Sequence, residues 1–204
     1  MELDLFALES NFLQLKSWLG EKVKIIASVK ANAYGHGVVP VCQTLKHMNI
    51  FAFSTGSFND AVAIREAGID TPILMFGGNL PEGIPEYLRY GLTPTVYNME
   101  MANAISAASS EPTRIYVKVD AGMGRLGVGI QDVEAFIHHL LIMPNIIIEG
   151  IYTHLSFRNE EGRLWSKRGI QKFNQVVLDL KKLGIDIPIT QAVASSNIMV
   201  GNLD

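Results

Sequence analysis

The sequence predicts an α/β chain forming an incomplete (β/α)8 TIM-type barrel, and three observations predict it. Short β-branched runs alternate with helix-spaced stretches from end to end, which argues for parallel βαβ units. Several of those runs are apolar on both faces, as strands buried between layers must be. A polar or charged residue recurs at the end of strand after strand: Lys30, Asp120, His154 and Ser196. Alternation alone admits either a doubly wound open sheet or a barrel. The glycine fingerprint of a dinucleotide-binding sheet is absent after the first strand, and in a barrel such strand ends converge on one face. The barrel is favoured.

The elements follow in order. The opening "MELDLF" is a short N-terminal run leading into a first helix, "LESNFLQLKSWLG". Strands are expected at "IIASVKAN" (25–32), "FAFS" (51–54), "PILMF" (72–76), "TPTVY" (93–97), "RIYVKVD" (114–120), "IIIEGIYTHLS" (146–156) and "PITQAVASS" (188–196). Between them, "FNDAVAIREAG" places Ala61, Ile64 and Arg65 at helical spacing, and Gly68 can end that helix in a left-handed conformation. "QDVEAFIHHLLIM" puts Val133, Phe136, Ile137 and Leu140 on one stripe. "WSKRGIQKFNQVVLDLKKLG" is the longest helical stretch and stops at Gly184. Seven strands are recognised, one short of a closed barrel.

Composition narrows the function. At 204 residues, 48% hydrophobic and 18% charged, the chain is too apolar for disorder, and no linker or low-complexity segment divides residues 1–204. A net charge of −3 with interspersed signs does not suggest a nucleic-acid surface. The single cysteine, Cys42, precludes an internal disulfide, and no metal-type Cys pair exists. The acidic N-terminus lacks the apolar core of a secretory signal, and no run is long enough to span a membrane. A cytoplasmic protein working on a small molecule is expected.

Lys30 invites a chemical reading. A lysine at a strand terminus is ordinarily a solvated edge residue. Surrounded by apolar strand, however, its ammonium loses stabilisation, and the neutral amine can form a Schiff base with a carbonyl. The loop "ANAYGHG" then offers the Tyr34 hydroxyl to an anionic group, while Gly35 and Gly37 allow close backbone approach.

These residues carry a resemblance. "SVKANAYGHG" (28–37) closely resembles the cofactor-lysine segment of alanine racemases, fold-type III enzymes that use pyridoxal 5′-phosphate (PLP). "VKVDAGMGRLGV" (117–128), "GIYTHLS" (150–156) and "VASSNIM" (193–199) resemble later segments of the same family, in the right order and with compatible spacing. The resemblance implies that Lys30 holds PLP as an aldimine and that Tyr34 binds its phosphate. It implies that Arg125 lies near the phenolic oxygen of PLP and the substrate carboxylate, for which a guanidinium fork is suited. Lys118 matches a lysine carbamylated in many members, where it braces that arginine; an ordinary amine is the alternative. His154 matches a histidine packed on the pyridine ring, and Ser196 a phosphate-binding serine. Ser195 and Ala192 stand where the family usually has asparagine and histidine, so details of phosphate bonding differ. His36 reads as structural.

The implied activity is interconversion of L-alanine and D-alanine, supplying D-alanine for peptidoglycan in the cytoplasm. Alternatives are a serine or broad-specificity racemase, or a PLP-binding barrel module without racemase activity. PLP-homeostasis proteins and basic-amino-acid decarboxylases share the barrel, but their lysine segments look unlike this one. Racemisation needs a base on each face of Cα. In the family the second is a tyrosine from the C-terminal domain of the partner subunit, and no residue here matches it. Nor does any residue match the arginine that pairs with the pyridine nitrogen after the eighth strand. The expectation is therefore a portion of a longer homodimer, lacking the eighth strand and C-terminal β domain and inactive by itself. "MELDLF" would be the opening strand that joins that domain.

Overall fold

A computed structural model describes residues 2–77 and 80–201. In chain order the elements are α1 (Leu5–Leu19), β1 (Ile26–Ser28), α2 (Lys30–Tyr34), α3 (Val38–His47), β2 (Ala52–Thr55), α4 (Phe58–Glu66) and β3 (Ile73–Met75). A 3-10 turn at Pro81–Gly83 precedes α5 (Ile84–Arg89), β4 (Thr93–Val96), α6 (Met99–Ala108), β5 (Thr113–Asp120) and β6 (Val128–Gly129). After a second 3-10 turn at Ile130–Asp132 come α7 (Val133–Leu141), β7 (Ile146–Leu155), α8 (Glu160–Lys182), β8 (Ile189–Val193) and α9 (Ser195–Met199). Every strand pairing is parallel, in the order β1-β2-β3-β4-β5-β7-β8, with the two-residue β6 beside β5. Seven strands on that path agree with the sequence expectation.

The chain divides into two compact units: Met1–Asn79 with Glu86–Pro94, and Leu80–Pro85 with Thr95–Asp204. In the first, β1, β2 and β3 pair in register through Ala27, Phe53 and Ile73, and β3 pairs with Thr93 and Pro94. All residues of β2 and β3 are buried, as strands covered on both faces require. Phe53, Ile64 and Ile73 are wholly buried, each worth about 1.5–3 kcal/mol in area removed from water. Ser57 caps α4, accepting from the Asp60 amide at 3.2 Å. Arg65 is not a surface partner of its helix. Its guanidinium donates to the carbonyls of Tyr90 (2.9 Å), Ile69 (2.7 Å), Thr71 (2.8 Å) and Gly91 (3.1 Å), tying the loops around β3 and β4 to α4.

In the second unit, β5 pairs with β7 and β7 with β8, while Thr95 and Val96 of β4 pair with β5. Residues Ile115 to Val119 of β5 are buried on both faces. The register shifts after Ile115, bringing Tyr116 opposite Gly150. A Cβ at Gly150 would enter the Tyr116 ring, so only glycine fits there. On α7 the stripe Val133, Phe136, Ile137 and Leu140 is buried, as its spacing foretold. Helix α8 carries Glu160 and Glu161 in its first turn and Lys181 and Lys182 in its last, matching its dipole, and Asn159 caps it. Among the described residues no helix is long and apolar enough to cross a membrane.

Four details depart from the sequence reading. Helix α1 begins at Leu5, so Leu5 and Phe6 of the expected opening strand are helical: Asp4 accepts the Ala7 amide at 3.0 Å and starts the helix early. Strand β1 stops at Ser28, before Lys30. Strand β8 stops at Val193, so Ser195 and Ser196 open α9. Helices α3, α5 and α6 lie in stretches that the periodicity left unassigned.

Candidate active site

The first unit contributes Lys30 and Tyr34. Ala31, Asn32, Ala33 and Tyr34 have φ of 53°, 55°, 52° and 55°, so α2 is a single left-handed turn. Such a conformation costs about 1–2 kcal/mol per residue for ordinary side chains, less for asparagine. It is closed by Ala33 N–H donating to Val29 O (2.9 Å), Gly35 N–H to Ala31 O (3.0 Å) and Gly37 N–H to Asn32 O (3.0 Å). Asn32 Oδ1 accepts the Val38 amide at 2.7 Å, joining the turn to α3. His36 Nδ1 lies 2.8 Å from Ala33 O, the structural part expected of it. Buried Val29 anchors the turn, whereas Lys30 is exposed and Tyr34 is 61% exposed. The Lys30 ammonium lies 5.6 Å from the Tyr34 ring centroid. The apolar surroundings expected for Lys30 are therefore not found.

The second unit holds Lys118, Arg125, His154 and Ser196. Asp120, the last residue of β5, organises the loop that bears Arg125. Its Oδ1 accepts the Gly122 (2.9 Å) and Gly124 (3.1 Å) amides. Partial burial would raise this carboxyl, but backbone donation from Gly122, Gly124, Met123 and Arg125 outweighs it and holds the pKa below the usual range. Gly127, at φ 141°, returns the loop so tightly onto Val119 and Asp120 that a side chain there would overlap their backbone. Lys118, Asp120, Arg125, Thr153 and His154 line a closely packed crevice with no room for a water molecule.

Lys118 is buried, with its ammonium 5.4 Å from the Tyr152 ring centroid. Burial, then the charge of Arg125, lowers its pKa, partly opposed by Asp120. Tyr152 is fixed in turn by Thr95, hydroxyl to hydroxyl at 3.2 Å, and burial pushes its pKa up. Arg125 is exposed on its loop, and His154 is half-buried near the end of β7. Ser196 stands apart from that cleft: its Oγ accepts the Phe157 amide at 3.3 Å, linking α9 to the segment after β7. Beside it, buried Asn197 donates to Ser166 (2.8 Å) and accepts from Ala194 (3.1 Å). Among the described residues no cluster of His, Cys, Asp or Glu is arranged to hold a metal ion.

Parallel strands alternating with helices, in the order β1-β2-β3-β4-β5-β7-β8, define the (β/α)8-barrel class, here in incomplete form. Comparison with known proteins narrows this. Residues 3–204 match the family described as alanine racemase, N-terminal domain, and the chain belongs to that family. It is 38% identical over 201 residues to the alanine racemase of Halothermothrix orenii, covering 97% of this chain and 53% of that protein. It is 35% identical to that of Carboxydothermus hydrogenoformans, covering 97% and 54%. Among solved structures, the alanine racemase of Clostridium difficile 630 superposes with a TM-score of 0.89 at 28% identity, over 94% of this chain and 54% of that one. The Bacillus anthracis enzyme, solved with bound L-Ala-P, gives 0.86 at 28% identity, over 96% and 52%. The chain thus spans about half the length of the relatives it matches.

Sequence reasoning missed three residues that shape these segments. Asp120 was noted only as a polar strand end, although an aspartate before "AGMG" is a recognisable signal for a carboxylate collecting loop amides. Tyr152 and Asp60 gave no signal of their own.

Proposed function

We propose that this chain is the cofactor-bearing portion of a PLP-dependent alanine racemase. The observation that carries the reading is the Lys30 segment, an exposed primary amine followed by a strained, hydrogen-bonded left-handed turn, in a chain of the alanine racemase family. The donor set suits the cofactor: an accessible amine for an aldehyde, the Tyr34 hydroxyl for a phosphate oxygen and the Arg125 guanidinium for a carboxylate or phenolate. When bound, PLP supplies a conjugated ring that acidifies Cα–H of the attached amino acid.

The chain's own residues do the rest. Lys30 Nζ would hold the cofactor and could move a proton at one face of Cα. Tyr34 and Ser196 would donate to the phosphate, Arg125 would orient the substrate carboxylate, and His154 would lie beside the pyridine ring. Burial favours the neutral amine of Lys118, the form that takes up carbon dioxide, which supports a carbamate there. A second base on the opposite face completes inversion, in the family a tyrosine of the partner subunit, so the whole protein is a homodimer. Its cytoplasmic role is D-alanine supply for peptidoglycan. Serine or broad-specificity racemisation and a PLP-binding module without turnover are the competing readings.

The test is borohydride reduction of the complete PLP-loaded protein followed by peptide mapping. The pyridoxyl group is expected on Lys30; a label on Lys118 or Lys167 instead overturns the assignment. Racemisation of alanine faster than serine in the same preparation separates alanine specificity from the alternatives.

A further inference from the structure

Four consecutive non-glycine residues in the left-handed region do not hold themselves there, since each would gain by returning to right-handed or extended backbone. The turn closes on its own amides, but one group reaches in from elsewhere. The Asn32 N–H donates to Asp60 Oδ2 at 3.2 Å, across 28 residues of sequence. Asp60 lies in the first turn of α4 and is half-buried. Thr55 Oγ1 at the end of β2 points at the same oxygen from 3.5 Å, the outer edge of bonding distance, and itself accepts the Ser57 amide at 3.1 Å. The charge of Asp60 is felt on α3 too: after burial, it is the second cause holding the Cys42 thiol up at about 12. The Asp60 carboxylate therefore stands against both the left-handed turn and the helix that follows it.

We propose that Asp60 is a positioning residue for Lys30: its carboxylate grips the Asn32 amide, and Asn32 in turn grips Val38, clamping the turn in its left-handed form. The proposal rests on Lys30 being the cofactor lysine. Asp60 touches neither Lys30 nor the reacting atoms. It acts by holding the turn that follows Lys30 in a conformation that would otherwise relax. Asn32 serves both sides of the clamp, with its N–H given to Asp60 and its side-chain oxygen to α3. It is also among the residue types least penalised at φ near 55°.

The experiment compares Asp60→Ala, Asp60→Asn and Asn32→Ala in the complete protein, with Lys30→Ala as a control. Amide hydrogen exchange at residues 33–38 is read without cofactor, and the rate of imine formation on Lys30 is read by absorbance after adding PLP. Loss of one bond to a charged acceptor should speed local exchange by about tenfold or more in Asp60→Ala, with β2 amides unchanged as evidence of an intact fold. Imine formation should slow in parallel, and Asp60→Asn, which keeps an acceptor oxygen, should restore most of both. Asn32 is exposed, so Asn32→Ala leaves folding secure and should reproduce the loosening through lost contact with α3. Unchanged exchange at 33–38 in Asp60→Ala overturns the clamp. Faster exchange with an unaltered imine rate overturns its positioning of Lys30. Imine formation persisting in Lys30→Ala would refute the cofactor-lysine reading, and the exchange data would still judge the clamp.

Discussion

Replacing Asp120 tests how the second unit presents Arg125. Asp120→Ala removes an acceptor for the Gly122 and Gly124 amides at 2.9 and 3.1 Å, with Met123 and Arg125 donating to the same carboxylate. A hydrogen bond to a charged group is worth about 1.5–3 kcal/mol where water is excluded. This carboxylate is partly solvated, so each bond is discounted to about 0.5–1 kcal/mol, and the two best together hold the loop by about 1–2 kcal/mol. Gly127 still fastens the far end of the loop against Val119 and Asp120, so the effect should stay local. The open population of 122–125 should rise about 5- to 30-fold. Amide exchange across those residues should accelerate accordingly, and affinity for the substrate carboxylate should weaken within the same range while PLP remains attached. The sign with pH follows from a folded-state pKa held below the ordinary aspartate value. The stabilisation is fully present above the unfolded pKa of about 3.9 and is lost as pH falls through the folded one. Protection of the loop should thus be flat between pH 5 and 7 and decline in strong acid. Unchanged exchange and affinity in Asp120→Ala, or loop loosening between pH 7 and 5, would refute the reasoning.

Arg65→Met should cost about 2–4 kcal/mol, since four carbonyls from two loops lose their shared donor; urea unfolding measures it, and a loss under about 0.5 kcal/mol would contradict the clamp. Gly150→Ala should cost about 1–3 kcal/mol through overlap with the Tyr116 ring, and Tyr116→Leu in the same chain should recover part of it in a thermal melt. Lys118 has its pKa lowered by burial, so the unfolded state binds its proton more tightly, and its penalty eases as pH rises through the folded pKa toward 10.5. Lys118→Met should therefore be more stable than the parent at pH 7, with the gap narrowing toward pH 9.5; a gap independent of pH in unfolding curves would count against a desolvated amine.

Where period and burial coincide, the sequence was enough. The stripe on α7 was legible because hydrophobic spacing is the physical cause of its burial. Gly68 and Gly184 end α4 and α8 at φ 73° and 81°, as breakers after periodic stretches should. What stayed hidden depends on distant partners. "KANAY" is made largely of residues compatible with an ordinary helix or strand, and its left hand is tied to a bond from Asp60, 28 positions away. The early start of α1 was masked because the apolar residues Leu5 and Phe6 look like a strand end until Asp4 is seen to cap them. The part of Tyr152 was hidden for a similar reason, since its hydroxyl partner, Thr95, lies 57 residues earlier.

The two lysines singled out by sequence show why the residue type alone did not settle their chemistry. Reactivity at Lys30 was first argued from burial, on the premise that an apolar strand end would neutralise its amine. The structure assigns burial to the other lysine: Lys118 is enclosed on β5 beside Tyr152, whereas Lys30 is exposed on a turn. For attack on a bulky aldehyde such as PLP, access matters as much as charge state, because carbonyl carbon and amine nitrogen must reach bonding distance along an open trajectory. Lys118 has the lowered pKa without that access. Lys30 has the access, and the turn that follows it is held by bonds from Asn32 to Asp60 and Val38. Burial thus falls on the strand lysine, Lys118, and backbone strain on the turn that follows Lys30.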